Sequence, residues 1–324
     1  MDIYVKKAII HQFSPDDTDL YLADKFLNIT PKIEEYLRKK IERVYSDDAK
    51  TGIFEEDNPF LELISDDLLD TSVAVANRWK EEFIVSENQK TNDLVFIQFS
   101  KEGVDHFAFL RITLRETLTH LGGEVDNPIK LTQNNLPGFG TGADEALVIN
   151  LQSRKYHLIE KRIKYNGTFL NYFSENLLQA QPKISPKKSI KALEKTAQRI
   201  AESFNTDDFQ FQSKVKSAIF NHIEEENKLS PEKLADDLFD DNLTARLSFI
   251  DQVKEAIPEP VTFEEIDSTR QLKKFENQKL SLSNGIELIV PNSVYEDAES
   301  VEFILNDNGT YSILIKNIED IQSK

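Results

Sequence analysis

The chain has 324 residues, no cysteine and a formal net charge of −18, because 57 Asp and Glu outnumber 39 Lys and Arg. These figures exclude disulfides, thiolate chemistry and cysteine-ligated zinc. No apolar run approaches the roughly 18 residues of a membrane span, and the first residues lack a signal-peptide pattern. We therefore expect a cytoplasmic protein without a membrane partner, whose 39% hydrophobic residues can fill the cores of two domains.

Strand and helix signals alternate in the first half of the chain. An apolar, β-branched segment predicts a first strand over Ile3–Gln12. Thr30-Pro31 predicts a helix over Pro31–Tyr45, because threonine caps helices and proline is favoured at their first position. Asn58-Pro59 repeats this start signal, and helical spacing continues, with room for a break, to about Phe83.

Two hairpins follow these elements. They pair Leu94–Phe99 with Asp105–Leu114, and Ala146–Leu151 with Tyr156–Lys161. Together with the early strand, they favour an antiparallel or mixed sheet with packed helices over a doubly wound sheet. The sequence therefore predicts an α+β fold.

The second half of the chain is mainly helical and ends in hairpins. Helices are predicted over Pro186–Phe204, Asp207–Glu226, Pro231–Phe239 and Leu243–Ala256. Beyond them, Asn284-Gly285 and Asn308-Gly309 each join two apolar runs. Type I′ turns are predicted there, because Asn-Gly tolerates their positive φ angles. The predicted domains are a sheet domain over 1–181 and, over 182–324, a helical region followed by small β-hairpins.

A basic island interrupts the acidic chain. Between Arg154 and Arg199 there are 11 Lys and Arg against 3 Asp and Glu, a balance of +8 that leaves −26 for the other residues. Basic residues concentrated in this way indicate an anionic partner, and nucleic acid is the commonest large anion in a cell. The island therefore contains our candidate binding residues.

The island has two parts. The first basic cluster, on a predicted strand and the loop after it, consists of Arg154, Lys155, Lys161, Arg162 and Lys164. The helix stripe lies on one side of the helix predicted from Pro186. Within about 80° of one another on this helix fall Lys188, Lys191, Lys195 and Arg199, with Lys187 beside them. The opposite side is apolar and carries Ile190, Leu193, Ala197, Ile200 and Phe204.

Lysine-rich contact predicts weak sequence specificity, because ammonium groups meet phosphates as point charges and carry no base information. With roughly four to six phosphate contacts, the log–log slope of affinity against salt should be about −4 to −5. Two other interpretations stay open. The stripe is a solvated outer face, or, ranked lower, the helix lies on an anionic membrane.

Aromatic residues interleave the first basic cluster. They are Tyr156, Tyr165, Phe169, Tyr172 and Phe173. Such side chains could stack on bases, as in proteins that bind single strands. The spacing of Phe169, Tyr172 and Phe173 favours instead the buried face of a helix.

No catalytic motif is complete. The glycine-rich segment Pro137–Ala143 precedes a strand and lacks a P-loop lysine, so we interpret it as a flexible loop. The five histidines show no metal-ligand spacing, and acidic pairs such as Asp236-Asp237 point apart on a helix. We expect no enzyme activity, no cofactor and no metal. A third alternative is a nuclease or nucleotide-dependent enzyme that uses the glycine-rich loop and clustered carboxylates.

Several segments together resemble the bacterial nucleoid-associated protein family that includes NdpA and YejK. The similar segments are Ala8–Phe13, Arg43–Ser46, Lys50–Phe54 and Ser268–Phe275. The resemblance implies a cytoplasmic, nucleoid-located protein that associates with DNA and has no recognised catalytic activity. It assigns no DNA-contacting residues, so the candidate residues rest on charge and geometry.

We therefore expect a non-enzymatic protein that binds DNA, double-stranded in preference to single-stranded, through the first basic cluster and the helix stripe. The alternative is an adaptor whose acidic surface engages basic, chromosome-associated proteins. Oligomeric state is left open, with a homodimer as one alternative.

Overall fold

The computed structural model describes residues 2–16, 19–87, 89–120, 129–205, 209–263 and 269–322. The chain divides into two compact units, Met1–Ser185 and Pro186–Lys324. The α+β class predicted from the sequence is confirmed.

The first unit is built on antiparallel strands. Its strands are β1 Ile3–Ser14, β2 Asp19–Tyr21, β3 Lys50–Ile53, β4 Asn92–Lys101, β5 Val104–Thr113, β6 Arg115–His120, β7 Ile129–Asn135, β8 Glu145–Asn150, β9 Lys155–Ile159, β10 Ile163–Tyr165 and β11 Thr168–Leu170. Among the described residues, seven of them form one sheet in the order β2-β1-β4-β5-β8-β9-β3. All its neighbouring strands run antiparallel. Both predicted hairpins are therefore present, as β4–β5 and β8–β9.

Helices cover both faces of this sheet. They are α1 Pro31–Glu42, extended by a 3₁₀ turn Arg43–Tyr45, and α2 Leu68–Phe83. Because strand residues alternate between faces, Phe96 of β4 joins the core that contains Trp79 of α2, whereas Ile97 joins the core that contains Leu37 of α1. Because β4 is buried on both faces, its sequence is an almost continuous run of apolar residues. Each large side chain that becomes fully buried contributes about 1.5–3 kcal/mol.

The helix starts follow local capping chemistry. The Thr30 side chain caps α1, with Pro31 at its first position, so the helix predicted over Pro31–Tyr45 is confirmed with a 3₁₀ end. The stretch predicted from Asn58 is divided into a 3₁₀ turn, Leu61–Leu63, and α2. The Asp67 carboxylate starts α2 by accepting the Leu69 N–H at 2.8 Å.

Two short hairpins of the first unit were not predicted. β6 pairs with β7, and β10 pairs with β11, each as a separate two-stranded sheet. Every residue of β6 is exposed, so it has no buried face that would produce alternation of apolar and polar residues. A π-helix, Phe173–Leu177, follows β11.

The second unit has a helical core. Its helices are α3 Pro186–Ser203, α4 Phe209–Glu226, α5 Pro231–Leu238, α6 Leu243–Ala256, α7 Thr269–Phe275 and α8 Asn292–Tyr295. Its strands are β12 Lys228–Leu229, β13 Val261–Thr262, β14 Asn277–Ser281, β15 Glu287–Pro291, β16 Val301–Leu305 and β17 Tyr311–Ile315. The four predicted helices correspond to α3–α6, although the predicted start at Asp207 lies outside the described residues. Side chains from α3 to α7 share one apolar cluster, which includes Leu193, Ile219 and Phe249.

The two predicted terminal hairpins are present as β14–β15 and β16–β17, but their predicted turn type is wrong. The backbone φ is positive at Gly285 (86°) and Gly309 (79°), but not at the preceding asparagines. The Gly285 N–H donates to the Leu282 carbonyl, and the Leu282 N–H donates to the Ile286 carbonyl. With these bonds, the loop is longer than the two residues of a type I′ hairpin. It consists of a type I turn followed by a glycine in the left-handed conformation.

Candidate nucleic-acid interface

The helix stripe is carried by α3. The helix packs its apolar side into the core of the second unit, where Ile190, Leu193, Ala197 and Ile200 are all at most 3% exposed. The helical period then turns the basic side outward, and Lys188, Lys191, Lys195 and Arg199 are all exposed. Lys187 lies beside them and is half-buried. The amphipathic geometry predicted for this helix is present.

Three lysines of the stripe have no ion-pair partner in the part of the chain that the structure describes. Within the described residues, Lys188, Lys191 and Lys195 make no ion pair, and the Arg199 guanidinium donates to the side-chain oxygen of Gln252. From Lys188 to Arg199 the stripe extends about 16 Å, since a helix rises about 1.5 Å per residue. Its positive charge is therefore available to an external anion.

The first basic cluster is arranged differently, because three of its members are ion-paired. Arg154 lies 2.9 Å from Glu56, Lys161 lies 2.6 Å from Asp144, and Lys164 lies 3.1 Å from Glu87. The pKa of the Asp144 carboxyl reflects its contact with Lys161. Burial alone would raise the pKa of Asp144, but the Lys161 ammonium and the Thr113 amide hold it below its usual value.

The other two members of the first basic cluster are Lys155 and Arg162. Lys155 is exposed on β9, and the Arg162 guanidinium lies 5.7 Å from the centre of the Phe169 ring. Since the paired carboxylates repel phosphate, the first basic cluster offers less free positive charge than its five cations suggest. The first basic cluster belongs to the first unit and the helix stripe to the second.

The aromatic residues of the island fall into two groups. Tyr156, Tyr172 and Phe173 are at most 1% exposed, whereas Tyr165 is 40% and Phe169 is 59% exposed. The predicted helix face is wrong for Phe169, which lies on β11 opposite Lys164 of β10. Two adjacent short strands replace the helix because residues 166–167 form a turn, with positive φ at both positions. Tyr165 and Phe169 are therefore the aromatic side chains of the island that remain accessible.

The glycine-rich loop does not form a phosphate cradle. The Lys40 ammonium of α1 is fully buried and donates to the carbonyl oxygens of Pro137, Gly138 and Thr141. Burial, together with the nearby Arg43 and Arg115, lowers the pKa of Lys40 to about 8. A phosphate site needs converging N–H groups, but here carbonyl oxygens converge on a cation. The loop is thus tied to α1, a contact that its glycine content alone did not predict.

A buried polar network crosses the first unit beside the first basic cluster. Arg111 of β5 lies 2.6 Å from Glu145 of β8, and the hydroxyl of Tyr172 donates to the same carboxylate. The Trp79 indole N–H donates to the Tyr172 oxygen at 2.9 Å. Burial and the Glu145 charge raise the pKa of Tyr172 well above its usual value, so the phenol stays protonated. Sequence patterns missed this network, because its members come from four separate elements.

A cleft of about 950 Å³ lies beside this network. Its cationic wall residues are Lys90, Arg111, Arg115 and Lys161, and its acidic ones are Asp16, Glu116 and Asp144. Since the two signs of charge nearly balance, the cleft has little preference for an anion. Within the described ranges, no group of three or more His, Asp or Glu residues could hold a metal ion.

The fold and the surface together describe an α+β protein that presents an exposed basic helix on an otherwise acidic chain. Across the described helices, none has the length and apolar character needed to cross a bilayer. The chain belongs to the family of the nucleoid-associated protein YejK, whose model matches residues 9–321, nearly the whole chain. The family resemblance inferred from the sequence is therefore confirmed. No curated protein sequence matches the chain.

Proposed function

We propose that the protein binds double-stranded DNA in the nucleoid with low sequence specificity, and that the helix stripe makes the principal contacts. The observation that carries this proposal is the row of exposed lysines on α3 without ion-pair partners among the described residues. Membership of a nucleoid-associated family supports the nucleoid location. The protein acts by binding, and the proposal contains no catalytic step.

The stripe has dimensions that suit a phosphate backbone. Its length of about 16 Å equals the rise of about five base pairs, so it can neutralise about four phosphates. Each neutralised phosphate releases condensed counterions, which supplies the binding free energy and makes it salt-dependent. Lysine ammonium groups do not discriminate bases, so affinity should vary little with sequence.

The first basic cluster has a secondary role in this proposal. Its paired cations must exchange carboxylate for phosphate, so each contributes less than a free lysine. Lys155 and Arg162, which are both exposed, add contacts to the DNA backbone in this proposal. The acidic remainder of the chain, at −26, repels DNA and confines binding to a limited patch.

The test compares two variants with the same change in net charge. In the first, Lys188, Lys191, Lys195 and Arg199 are all replaced by Gln. In the matched control, the ion-paired residues Lys214, Lys233, Arg246 and Lys254 of the same unit are replaced by Gln. Binding to a random-sequence duplex is measured by fluorescence anisotropy across salt concentrations starting at about 50 mM.

We expect the wild-type log–log salt slope to be about −4. The stripe variant should bind DNA too weakly to be detected, and the control variant should retain most of the wild-type affinity. Retention by the stripe variant would contradict the proposal. Equal losses in both variants would show that only net charge matters, which also contradicts it. Circular dichroism melting of both variants verifies that they fold.

The alternative function is an adaptor that reaches the nucleoid through basic, DNA-handling proteins. The balance of −26 outside the island favours it, since such a surface attracts cationic partners. Cross-linked complexes recovered from cells and treated with nuclease distinguish the two functions. Chromosomal protein partners that survive the nuclease support the adaptor, whereas loss of every partner with the DNA supports direct DNA binding.

A further inference from the structure

The second unit contains an apolar groove that the proposed DNA contact does not use. The groove measures about 900 Å³ and lies between the β14–β15 hairpin, the β16–β17 hairpin and the beginning of α4. Apolar side chains line all three sides, among them Leu282 and Ile286 from the first hairpin region, Phe303 and Tyr311 from the second, and Phe209 from α4. Such a groove is sized for a chain segment or a small apolar ligand.

Aromatic side chains in the walls of the groove pack against one another, but the walls remain open to solvent. Phe209 packs edge-on against both Phe303 and Tyr311, with ring centres 5.1 and 5.2 Å apart. Nevertheless, Ile286 is 51% and Tyr311 is 54% exposed. Since burying apolar surface is favourable and isolated two-stranded hairpins are only marginally stable, an occupant of the groove would stabilise both hairpins.

Charge at the groove indicates what the occupant carries. Lys216 of α4 and Lys279 of β14 both line the groove, and neither makes an ion pair in the part of the chain that the structure describes. Each hairpin also has two strands only within that part, so strand edges are open for main-chain hydrogen bonds. The fitting ligand is therefore an extended peptide with apolar side chains and carboxylates.

The segment after β17 has this chemistry. Residues 317–322 read Asn-Ile-Glu-Asp-Ile-Gln and form neither helix nor strand. Ile318 is 52% and Ile321 is 81% exposed, and Glu319 and Asp320 lie between them. In an extended chain, residues three apart point to opposite faces, so the two isoleucines can reach the two hairpin walls while the carboxylates meet the lysines.

We propose that this groove binds residues 317–322 of a second copy of the chain. The chain's own segment leaves β17 at the end opposite the Gly309 turn, where the Lys316 N–H donates to the Ser300 carbonyl and the Asn317 amide to that of Glu299. To fill its own groove it must reverse sharply over β17. Exchange between two copies needs no reversal and produces a symmetric dimer with two equivalent grooves.

The first test uses a labelled, end-capped peptide with the sequence of residues 316–322 added to the full chain. We expect saturable binding by anisotropy. Replacing both isoleucines of the peptide by Ser should weaken it by about tenfold or more, because two buried apolar side chains are lost. Replacing Glu319 and Asp320 by Gln should also weaken it. A peptide that does not bind, or that binds equally well after these changes, overturns the proposal.

The second test reverses the charges on both sides. The chain variant Lys216→Glu/Lys279→Glu should lose the native peptide and bind a peptide carrying Glu319→Lys/Asp320→Lys. Loss without recovery of binding would contradict the charge pairing if the variant's melting curve matches wild type. If the variant unfolds, the single exposed change Lys279→Glu with the matching peptide repeats the comparison.

The third test is the mass of the full chain by light scattering over a range of concentrations. We expect a dimer that Ile318→Ser/Ile321→Ser and an excess of the free peptide both convert to monomer. A dimer that persists in the variant would contradict the proposed exchange of residues 317–322 between two copies. A wild-type chain that is monomeric at every concentration would also contradict it. DNA binding by the helix stripe is measured separately, so either proposal can fail alone.

Discussion

Lys161 and Asp144 form an ion pair, with 2.6 Å between Nζ and Oδ1, beside the buried carboxylate of Glu145. A cation held in this way is not equivalent to a free lysine, although the two look identical in the sequence. Binding a phosphate at Lys161 requires either breaking the pair or placing the phosphate next to Asp144. Both cost free energy, which distinguishes the first basic cluster from the helix stripe.

Single substitutions should therefore affect DNA binding unequally. We expect Lys191→Gln to reduce the magnitude of the log–log salt slope by about 0.9, as for a lost phosphate contact. Lys161→Gln and Lys164→Gln should each change it by clearly less, because their charges are already partly neutralised. Anisotropy titrations at several salt concentrations measure the three slopes. A larger change for Lys161→Gln than for Lys191→Gln would contradict the ranking.

Gly52 of β3 provides a steric prediction. A Cβ atom at this position would lie 2.3 Å from the hydroxyl oxygen and 2.4 Å from Cζ of Tyr156, its partner on β9. The Tyr156 ring cannot retreat easily, because it is buried and packs 4.4 Å from the Phe54 ring. We expect Gly52→Ala to lower the free energy of unfolding by about 1–3 kcal/mol.

The matched control is Gly140→Ala, since a Cβ there meets nothing within 4 Å and the backbone φ is not positive. The free energy of unfolding of this variant should lie within about 0.5 kcal/mol of the wild-type value. Urea unfolding of the three proteins provides the comparison. Equal stability of Gly52→Ala and wild type would show that Tyr156 can move.

Local chemistry made much of the fold predictable. Thr30-Pro31 and Ser185-Pro186 are start signals that depend only on neighbouring residues, and both helices begin where predicted. The stripe of α3 also follows from helical period alone. The pairing of Lys161 with Asp144 could not be predicted, because it depends on which strands become neighbours in the sheet. The β10–β11 hairpin was missed for a related reason: its aromatic spacing fits a helix, but its turn residues favour two strands.

The Trp79 site should report the stability of the first unit. Trp79 is the sole tryptophan, so its fluorescence follows the network of Tyr172, Glu145 and Arg111. Tyr172→Phe leaves the Trp79 N–H without its partner, and we expect it to lower the free energy of unfolding by about 1–3 kcal/mol. Arg111→Met should cost about 3–5 kcal/mol, because it leaves the Glu145 carboxylate buried without a cation.

A double variant separates charge pairing from packing at this network. Arg111→Met/Glu145→Leu removes both charges, so it should be more stable than Arg111→Met alone. Fluorescence-monitored urea unfolding measures all the variants. The single variants Arg111→Met and Glu145→Leu each lower the free energy of unfolding by some amount. If the double variant lowers it by at least the sum of these amounts, packing rather than the ion pair dominates the site.

His11 of β1 should make stability depend on pH. Its Nδ1 atom accepts the Ala23 N–H at 3.1 Å, so a neutral ring carries its proton on Nε2, 2.9 Å from the Ser72 hydroxyl. Burial lowers the pKa of His11 below its usual 6.5. Protonation would place a second N–H against that of Ala23 in a site closed to water.

The folded state therefore binds this proton less readily than the unfolded state. Its contribution to stability is fully present above about pH 6.5 and is lost as the pH falls toward the lowered folded-state pKa. Each unit by which folding lowers the pKa of His11 corresponds to about 1.4 kcal/mol of unfolding free energy. We expect the His11 ring to titrate below 6.5 by NMR, and His11→Gln to flatten the decline in unfolding free energy between about pH 7 and 5. A decline in His11→Gln as steep as in wild type would assign the pH dependence to other groups.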